Sequence, residues 1–517
     1  MFNFVAYFYK PSILSSTEIE KKEQKVLYDY QKRDIDKIFG RVEEFPKNYN
    51  LLYQLPTGGG KTVIFSEIVR RYIETTKKKV IVLTHRIELC NQTSKMLTEF
   101  QVKNKIINSS VKELNDQDEY TCFVAMVETL NNRLNDDQLE LHNIGMVIID
   151  EAHYNSFRKL FRFFKNCFIL GVTATPLSSN MKLPMKDNYN ELIVGDTINS
   201  LIKSGFLAKP VTFTYDVGLS SLKIGMNGDY TVKSSEELYT NMLMQDKLLH
   251  AYEERSKGKK TLIFNNGINT SVYVYETFKK AGYPIRHLDN TNSKQEREDI
   301  LNWFKHTKDA ILTSVSILTT GFDEPTVESI ILNRATKSLT LYFQMIGRGS
   351  RILPIKKEFF IIDMGNNTAR FGLWNTEVDW QSIFRSPDFY YDNLVGDEEI
   401  ERNFKYVMPE DIRKEFAKSE DVTFDIEEEY TKTKRFNLRS LTVLEKSIEQ
   451  HAVMCVENSE DVFDARILSK LLDRDIEFRV RRYSYCISKS TKNYRDWLEE
   501  DYKRKLRTKI NHLFMDN

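Results

Sequence analysis

From residue 51 onward the chain alternates between short runs that are apolar almost throughout and longer, charged stretches of helical character. The runs are "NLLYQL", "KVIVLTH", "CFVAM", "GMVIID" and "CFILGVTAT", with segments such as "KTVIFSEIVRRYIETT" and "RIELCNQTSKMLTEF" between them. Strands that lack an inside–outside alternation are buried on both faces, and helix-length spacers let them pair in parallel. A second set begins near 260 with "KTLIFNN", "IRHLD", "AILTSVSIL", "SIILNRA" and "EFFIIDMG", spaced by "NTSVYVYETFKKAG" and "SKQEREDILNWFKH". The pattern predicts an α/β protein with two tandem parallel-sheet domains, at 25–210 and 245–380. Residues 1–24 would form an N-terminal arm, and 211–244 a connector whose "KIGMNGDYTV" carries the Asn-Gly signature of a hairpin. Beyond 380 the alternation stops, and 381–517 reads as a mainly helical accessory region. Its charge reverses along the way: 15 acidic against 6 basic residues over 381–430, then 14 against 19 over 431–517.

Composition narrows the class. A length of 517 residues exceeds one ordinary core, and 41% hydrophobic with 29% charged residues is the balance of a soluble globular protein. No apolar run approaches the roughly 18–20 residues of a membrane span. The opening "MFNFVAYFYKPSIL" lacks a basic start and a small-residue cleavage site, so it is expected to be an edge strand or packing arm. The 5 cysteines are far apart and form no C-x-x-C pair, which suits packed thiols in a reducing, cytoplasmic interior.

The chemistry starts at "LPTGGGKT", residues 55–62, which directly follows the first apolar run. Gly58, Gly59 and Gly60, after Pro56 and Thr57, let the backbone fold tightly enough for its N–H groups to converge on phosphate oxygens. Lys61 would reach the outer phosphates, and the hydroxyl of Thr62 would ligate Mg²⁺. The helix beginning there points its positive end at the anion. Leu55 stands where the strict pattern has glycine. A phosphate loop also needs an acidic partner on a neighbouring strand, and "MVIIDEAH" supplies one. Asp150 would hold Mg²⁺, and Glu151 would orient the attacking water. An Asp-Glu pair alone is usually a solvated face; here it ends a buried strand.

In this order the segments resemble the motifs of the superfamily 2 helicases. Asp150-Glu151-Ala152-His153 matches the DEAH form of the second motif, and "GVTATP" the third, through Thr173 and Thr175. "LYDYQ" resembles the Q-motif, "LTHRIEL" motif Ia and "VAMVETL" motif Ib. In the second unit "LIFNN", "ILTTGFDEP" and "QMIGRGSR" resemble motifs IV, V and VI. The resemblance covers roughly 25–380. "THRIEL", "LTTGFDEP" and "IIDMGNNTARFG" are similar to the branch of RadD-type bacterial DNA-repair helicases, XPB-like helicases and restriction-enzyme motor subunits. The cysteine-rich module usual in RadD-type enzymes is absent.

The resemblance implies two RecA-like lobes with ATP and Mg²⁺ in the crevice between them. Gln31 would read the adenine edge, with Tyr28 or Tyr30 stacked on the base. Gly321 and Asp323 would lie near the ribose, and Arg348 and Arg351 would face the γ-phosphate. His153, Thr173, Thr175 and Gln344 would relay nucleotide state, and Arg86, Thr129, Asn265 and Thr319 would contact a nucleic-acid backbone. The expected activity is an ATP-dependent DNA helicase or translocase acting on single-stranded or junction DNA without sequence preference. A double-strand translocase and an RNA helicase stay open, as does a non-catalytic scaffold, which would have lost Lys61, Glu151 or Arg351. No membrane partner is expected. From Arg479 to Lys509 there are 11 basic against 4 acidic residues, with Tyr483, Tyr485, Tyr494, Trp497 and Tyr502 interleaved. That stretch is either a single-strand binding surface or a basic helix whose rings pack inward.

Overall fold

The apolar runs become the strands of two parallel sheets in the computed structural model. It describes residues 26–517 except 110, 112–113, 115, 137–138, 181, 216, 320, 402–407, 488–491 and 516–517. The arm expected over 1–24 lies outside the described residues. The first sheet holds β1 (Tyr49–Gln54), β2 (Lys79–Thr84), β3 (Asn104–Ile107), β4 (Cys122–Met126), β5 (Ile144–Asp150), β6 (Phe168–Thr173) and β7 (Glu191–Val194). Its order is β3-β4-β2-β5-β6-β1-β7, with every pairing parallel. The second holds β8 (Lys209–Thr214), β9 (Thr261–Asn265), β10 (Ile285–Leu288), β11 (Ile311–Ser314), β12 (Ser329–Asn333) and β13 (Glu358–Asp363), in the order β10-β11-β9-β12-β13-β8. Leu51, Leu52 and Tyr53 of β1 and Met146 through Ile149 of β5 are buried, as strands covered on both faces must be. Among the described residues no helix is long and apolar enough to cross a membrane.

The expected boundary at 210/211 cuts through a strand. β8 pairs with β13 in unbroken register from Lys209↔Glu358 to Thr214↔Asp363, so 211–214 is sheet and not connector. β8 is an edge strand, and its Pro210 is tolerated because an edge leaves one side without a ladder. Its half-exposed positions broke the apolar pattern that marks the other strands. The Asn-Gly hairpin forms, with an antiparallel bridge between Ile224 and Tyr230, but it lies against the second sheet's loops. The division at 380 also shifts. The short helix Trp380–Arg385 returns to the first lobe, where the Gln381 amide donates to the Leu192 carbonyl at 2.8 Å and Lys186 donates to the Arg385 carbonyl at 2.9 Å.

The region beyond 410 is helical and has its own core. In the helix Lys492–Met515 the side chains of Leu498, Tyr502, Leu506 and Ile510, spaced four apart, are all buried, which is the stripe of a helix packed on one face. Of the two readings of 479–509, the basic helix with rings packed inward fits its main rings. Tyr483 and Tyr502 are core residues, Trp497, stacked on Tyr494, is largely exposed, and the Tyr485 side chain lies outside what the structure describes. Arg479 is also interior, paired with Asp475 at 2.9 Å. Asp475 lies 3.0 Å from His451 Nε2, whose Nδ1 lies 2.9 Å from the Tyr502 hydroxyl.

Burial, reinforced by the Arg479 charge, holds the His451 imidazole down at about 4, below its ordinary 6.5. The unfolded chain thus binds a proton that the folded chain refuses as pH falls through that interval. Stability of the helical region is expected to drop between about pH 6.5 and pH 4, by about 1.4 kcal/mol per pH unit for one proton. Thermal melts across that window should show the slope, and His451→Gln should flatten it; an equally steep slope in the variant would contradict the assignment.

Candidate active site between the two sheets

β1 runs into the loop 55–60, and the helix Lys61–Thr76 follows. Gly58 and Gly60 have φ of +87° and +85°, values a side chain resists, and a Cβ on Gly60 would come within 2.6 Å of the Gln31 amide nitrogen. The helix start carries no side-chain cap, so its N–H groups are free to serve an anion. Leu55, the departure from the strict pattern, is buried, and its side chain packs beneath Gly59. Its carbonyl accepts a 3.4 Å contact from the Lys61 ammonium.

Asp150 ends β5 and Glu151 follows with φ +52°, a left-handed conformation that costs a non-glycine residue about 1–3 kcal/mol. Strain of that kind persists where neighbours impose it. The Glu151 N–H donates to Asp150 Oδ1 at 3.0 Å, and both carboxyls are buried. Burial and then the adjacent Glu151 push the Asp150 carboxyl up, against the pull of Lys61. Burial pushes Glu151 up as well, but Lys61, His153 and Arg348 together outweigh it and hold Glu151 below the usual carboxylate range. Lys61 is lowered by burial and supported by Glu151 and Asp150. A half-buried cation beside two buried carboxylates, directly after a loop with left-handed glycines, fits a triphosphate with its divalent ion. Thr62 and Asp150 are the residues available to that ion.

The second lobe closes on this loop. In the helix Leu339–Gly347 and the turn after it, a Cβ on Gly347 would come within 2.6 Å of the Thr57 Cβ, and the Ser350 hydroxyl lies 3.4 Å from the Thr57 carbonyl. Arg348 donates to the Phe322 carbonyl at 2.6 Å, and burial lowers it to about 10 while Glu151 raises it. Arg351 is more exposed and pairs with Asp323 at 2.9 Å. Asp323, expected near the ribose, is thus an arginine partner here. The Gly321 carbonyl, on a residue with φ +75°, accepts from Gln92 at 2.8 Å.

The groups expected to relay nucleotide state are connected. Thr173 donates its hydroxyl proton to the Thr175 carbonyl at 3.0 Å, so at its 3.0 Å contact with His153 Nδ1 the imidazole must be the donor. His153 Nε2 is then the acceptor facing the Gln344 amide, 3.2 Å away on the other lobe. The Thr175 hydroxyl donates to Thr340 Oγ1 at 3.1 Å, a second crossing that the sequence did not single out. His85, beside Arg86 in the segment resembling motif Ia, was given no role of its own by the sequence. Both its ring nitrogens are buried without a partner among the described residues, and its ring lies 4.2 Å from Tyr154, itself 4.4 Å from His153.

The adenine-side expectations are met unevenly. Gln31 is buried; its carbonyl accepts the Tyr28 N–H at 3.0 Å, so its amide serves the protein's own turn. Tyr30 donates to the Gly59 carbonyl at 2.7 Å and braces the loop. Tyr28 is half exposed and lies on Phe206 at 4.3 Å, a ring more than 170 positions away that no motif announces. Two backbone-contact candidates are corrected. Asn265 is buried, donating to Thr313 and the Ser314 carbonyl and accepting from Asn333, and Thr319 turns its hydroxyl onto the Ser316 carbonyl. Thr129 is half-buried in the first turn of the helix Val127–Asn135, and Arg86 donates to the Ile317 carbonyl across the lobes at 3.0 Å.

Comparison with known families agrees with this geometry. The "Type III restriction enzyme, res subunit" family matches residues 24–178, and the "Helicase conserved C-terminal domain" family matches 242–353. The chain belongs to the superfamily 2 helicases. The chain is 29% identical over 337 residues to a "51.5 kDa protein" of a Lactococcus phage, covering 64% of this chain and 69% of the relative. It is 29% identical over 358 residues to IRC3 of Saccharomyces cerevisiae, named for an inferred ATP-dependent helicase activity, covering 65% of this chain and 51% of the relative. The chain therefore spans about half the length of IRC3. Its fold is that of a fragment of an inferred HsdR subunit of a type I restriction enzyme from Vibrio vulnificus, with a TM-score of 0.53 at 20% identity over 68% of this chain and 67% of that one.

Gly60→Ala forces a side chain into the left-handed region and toward Gln31. It is expected to weaken binding of a fluorescent ATP analogue about tenfold, at a strain cost of about 1–2 kcal/mol, without unfolding the protein. Unaltered affinity in a titration would mean that the loop does not shape the phosphate site.

Proposed function

We propose that this helicase-family motor is a DNA-dependent ATPase that moves along DNA and separates its strands. The observation that carries the reading is the closure of the second lobe on the phosphate loop, Gly347 against Thr57, with Gln344 reaching His153. In this reading Lys61 and the loop N–H groups hold the outer phosphates, with Thr62 and Asp150 holding Mg²⁺. When bound, the ion neutralises charge on the β- and γ-oxygens. Glu151, kept ionised by the cations around it, accepts a hydrogen bond from the attacking water and takes up its proton. Arg348 lies on the Glu151 side of the crevice and stabilises charge on the transferring group. Arg351 joins it by exchanging Asp323 for the phosphate. Tyr28 on Phe206 offers a flat surface to the base. Arg86 and Thr129 present polar groups to a DNA backbone, whose contacts carry no sequence information.

A double-strand translocase is the second reading, favoured by the fold shared with the restriction-enzyme fragment. Strand displacement on a forked duplex beside triplex displacement on an intact duplex separates the two. Unwinding of the fork supports the helicase reading, and triplex displacement without unwinding supports the translocase.

Lys61→Ala should abolish both nucleotide binding and turnover. Arg348→Ala should keep binding and lose turnover by about 10³-fold, the usual contribution of an arginine on the transferring phosphoryl group. Phosphate release with single-stranded DNA, duplex DNA and RNA as stimulants measures both. Turnover indifferent to every polymer, or near-wild-type turnover in Arg348→Ala, would overturn the reading.

A further inference from the structure

Two buried polar groups beside the phosphate loop have no hydrogen-bond partner among the described residues, and they stand on neighbouring strand ends. One is Oε2 of Glu151. His153 Nδ1 lies 3.4 Å from it, but the proton on that nitrogen goes to the Thr173 hydroxyl oxygen at 3.0 Å. The other is the His85 imidazole, with both ring nitrogens buried. β2 and β5 pair in parallel as far as Leu83↔Ile149. His85 and Glu151 therefore each stand two residues past that pair, side by side at the carboxyl ends of adjacent strands. A buried carboxylate oxygen or ring nitrogen without a partner carries an uncompensated desolvation cost, and native proteins keep such groups where their chemistry is used.

The His85 ring is held by stacking and is uncharged. It lies against Tyr154, which packs in turn on His153. Burial lowers the imidazole to about 4 against the opposing pull of Glu151, so near neutral pH it carries one N–H to give and no charge. A neutral donor orients a carboxylate without cancelling its charge, which leaves Glu151 a base. The turn that carries the ring is also tied to the second lobe. Arg86, the next residue, precedes the helix Ile87–Glu99 and donates to the Ile317 carbonyl at 3.0 Å. Within that helix Glu88 pairs with Arg297 at 3.3 Å, and Gln92 donates to the Gly321 carbonyl at 2.8 Å. A phosphate competing for the Arg86 guanidinium thus acts on the residue directly beside His85.

We infer that His85 is a positioning residue for Glu151: its N–H donates to the carboxylate oxygen that the attacking water does not use, and DNA bound at Arg86 brings it there. The inference rests on the reading of the chain as a DNA-dependent ATPase with Glu151 as its base. The test is phosphate release by the full chain, titrated with single-stranded DNA. His85→Phe keeps a ring against Tyr154 and removes both nitrogens. It is expected to lower kcat at saturating DNA about tenfold or more, the scale of a lost hydrogen bond to a charged group. The KM for DNA, the melting temperature and the affinity for a non-hydrolysable ATP analogue should stay unchanged. His85→Gln or His85→Asn, each with an amide donor, should recover part of the loss. Wild-type kcat in His85→Phe would overturn the inference, and no recovery in either amide variant would deny the hydrogen bond. A raised KM for DNA at wild-type kcat would make His85 part of the DNA surface, and a lowered melting temperature with weakened nucleotide binding would make it a packing residue; either result also overturns the inference. Failure of the underlying reading shows separately, as wild-type turnover that no polymer raises.

Discussion

The approach of Gly347 to Thr57 is the constraint on which the remaining geometry depends. A methyl group at 347 would overlap the threonine side chain, so the two lobes meet at a distance only glycine permits. That approach brings Arg348 into the electrostatic range of Glu151 and Lys61, and one cluster then contains two half-buried cations and two buried carboxylates. None of these charges would be tolerable alone at such depth; each is tolerated because the others are present. Separating the lobes removes Arg348 from that balance and leaves Lys61 to offset two carboxyls. The cluster thus favours closure most when a further anion is bound between its cations.

The closed arrangement is tied together at several levels. Leu207 and Ala208 hand the chain from the first lobe to β8 while pairing with Arg351 and Ser350 of the second. After β13 the chain returns, and Trp380 packs edge-on to Phe343 at 5.6 Å while its helix holds β7. The lobes are therefore joined by two crossings of the chain, each bonded to both sides. His153 bonds Gln344 of the opposite lobe with a ring that also lies 3.4 Å from Glu151, and Thr175 bonds Thr340 of that lobe through its hydroxyl.

Much of this was legible in the sequence, and the parts that were not share a cause. The central strands announced themselves because burial on both faces demands continuous apolar runs, and the phosphate loop because Gly-Lys-Thr after such a run has little other use. β8 did not, since an edge strand with Pro210 and no buried position resembles a connector. Thr340 was invisible because its partner Thr175 lies across the crevice, and Phe206 because the ring it meets, Tyr28, is far away in the chain; one chain read linearly records neither. Asn265 misled for the same reason: the position at a strand's end was right, but the side chain turns inward onto Thr313 and Asn333. In the C-terminal region, rings among basic residues fitted a binding surface and an inward-packed helix alike, and the four-residue spacing of Leu498, Tyr502, Leu506 and Ile510 was the signal that favoured packing.

The central claim is that nucleotide is held between two lobes whose spacing it controls. Single-molecule or ensemble energy transfer between one dye on each lobe measures that spacing directly. The account predicts a shorter distance with a non-hydrolysable ATP analogue than with ADP, and no shortening when Lys61→Ala removes the phosphate contact. A distance that stays the same whichever nucleotide is bound would contradict it.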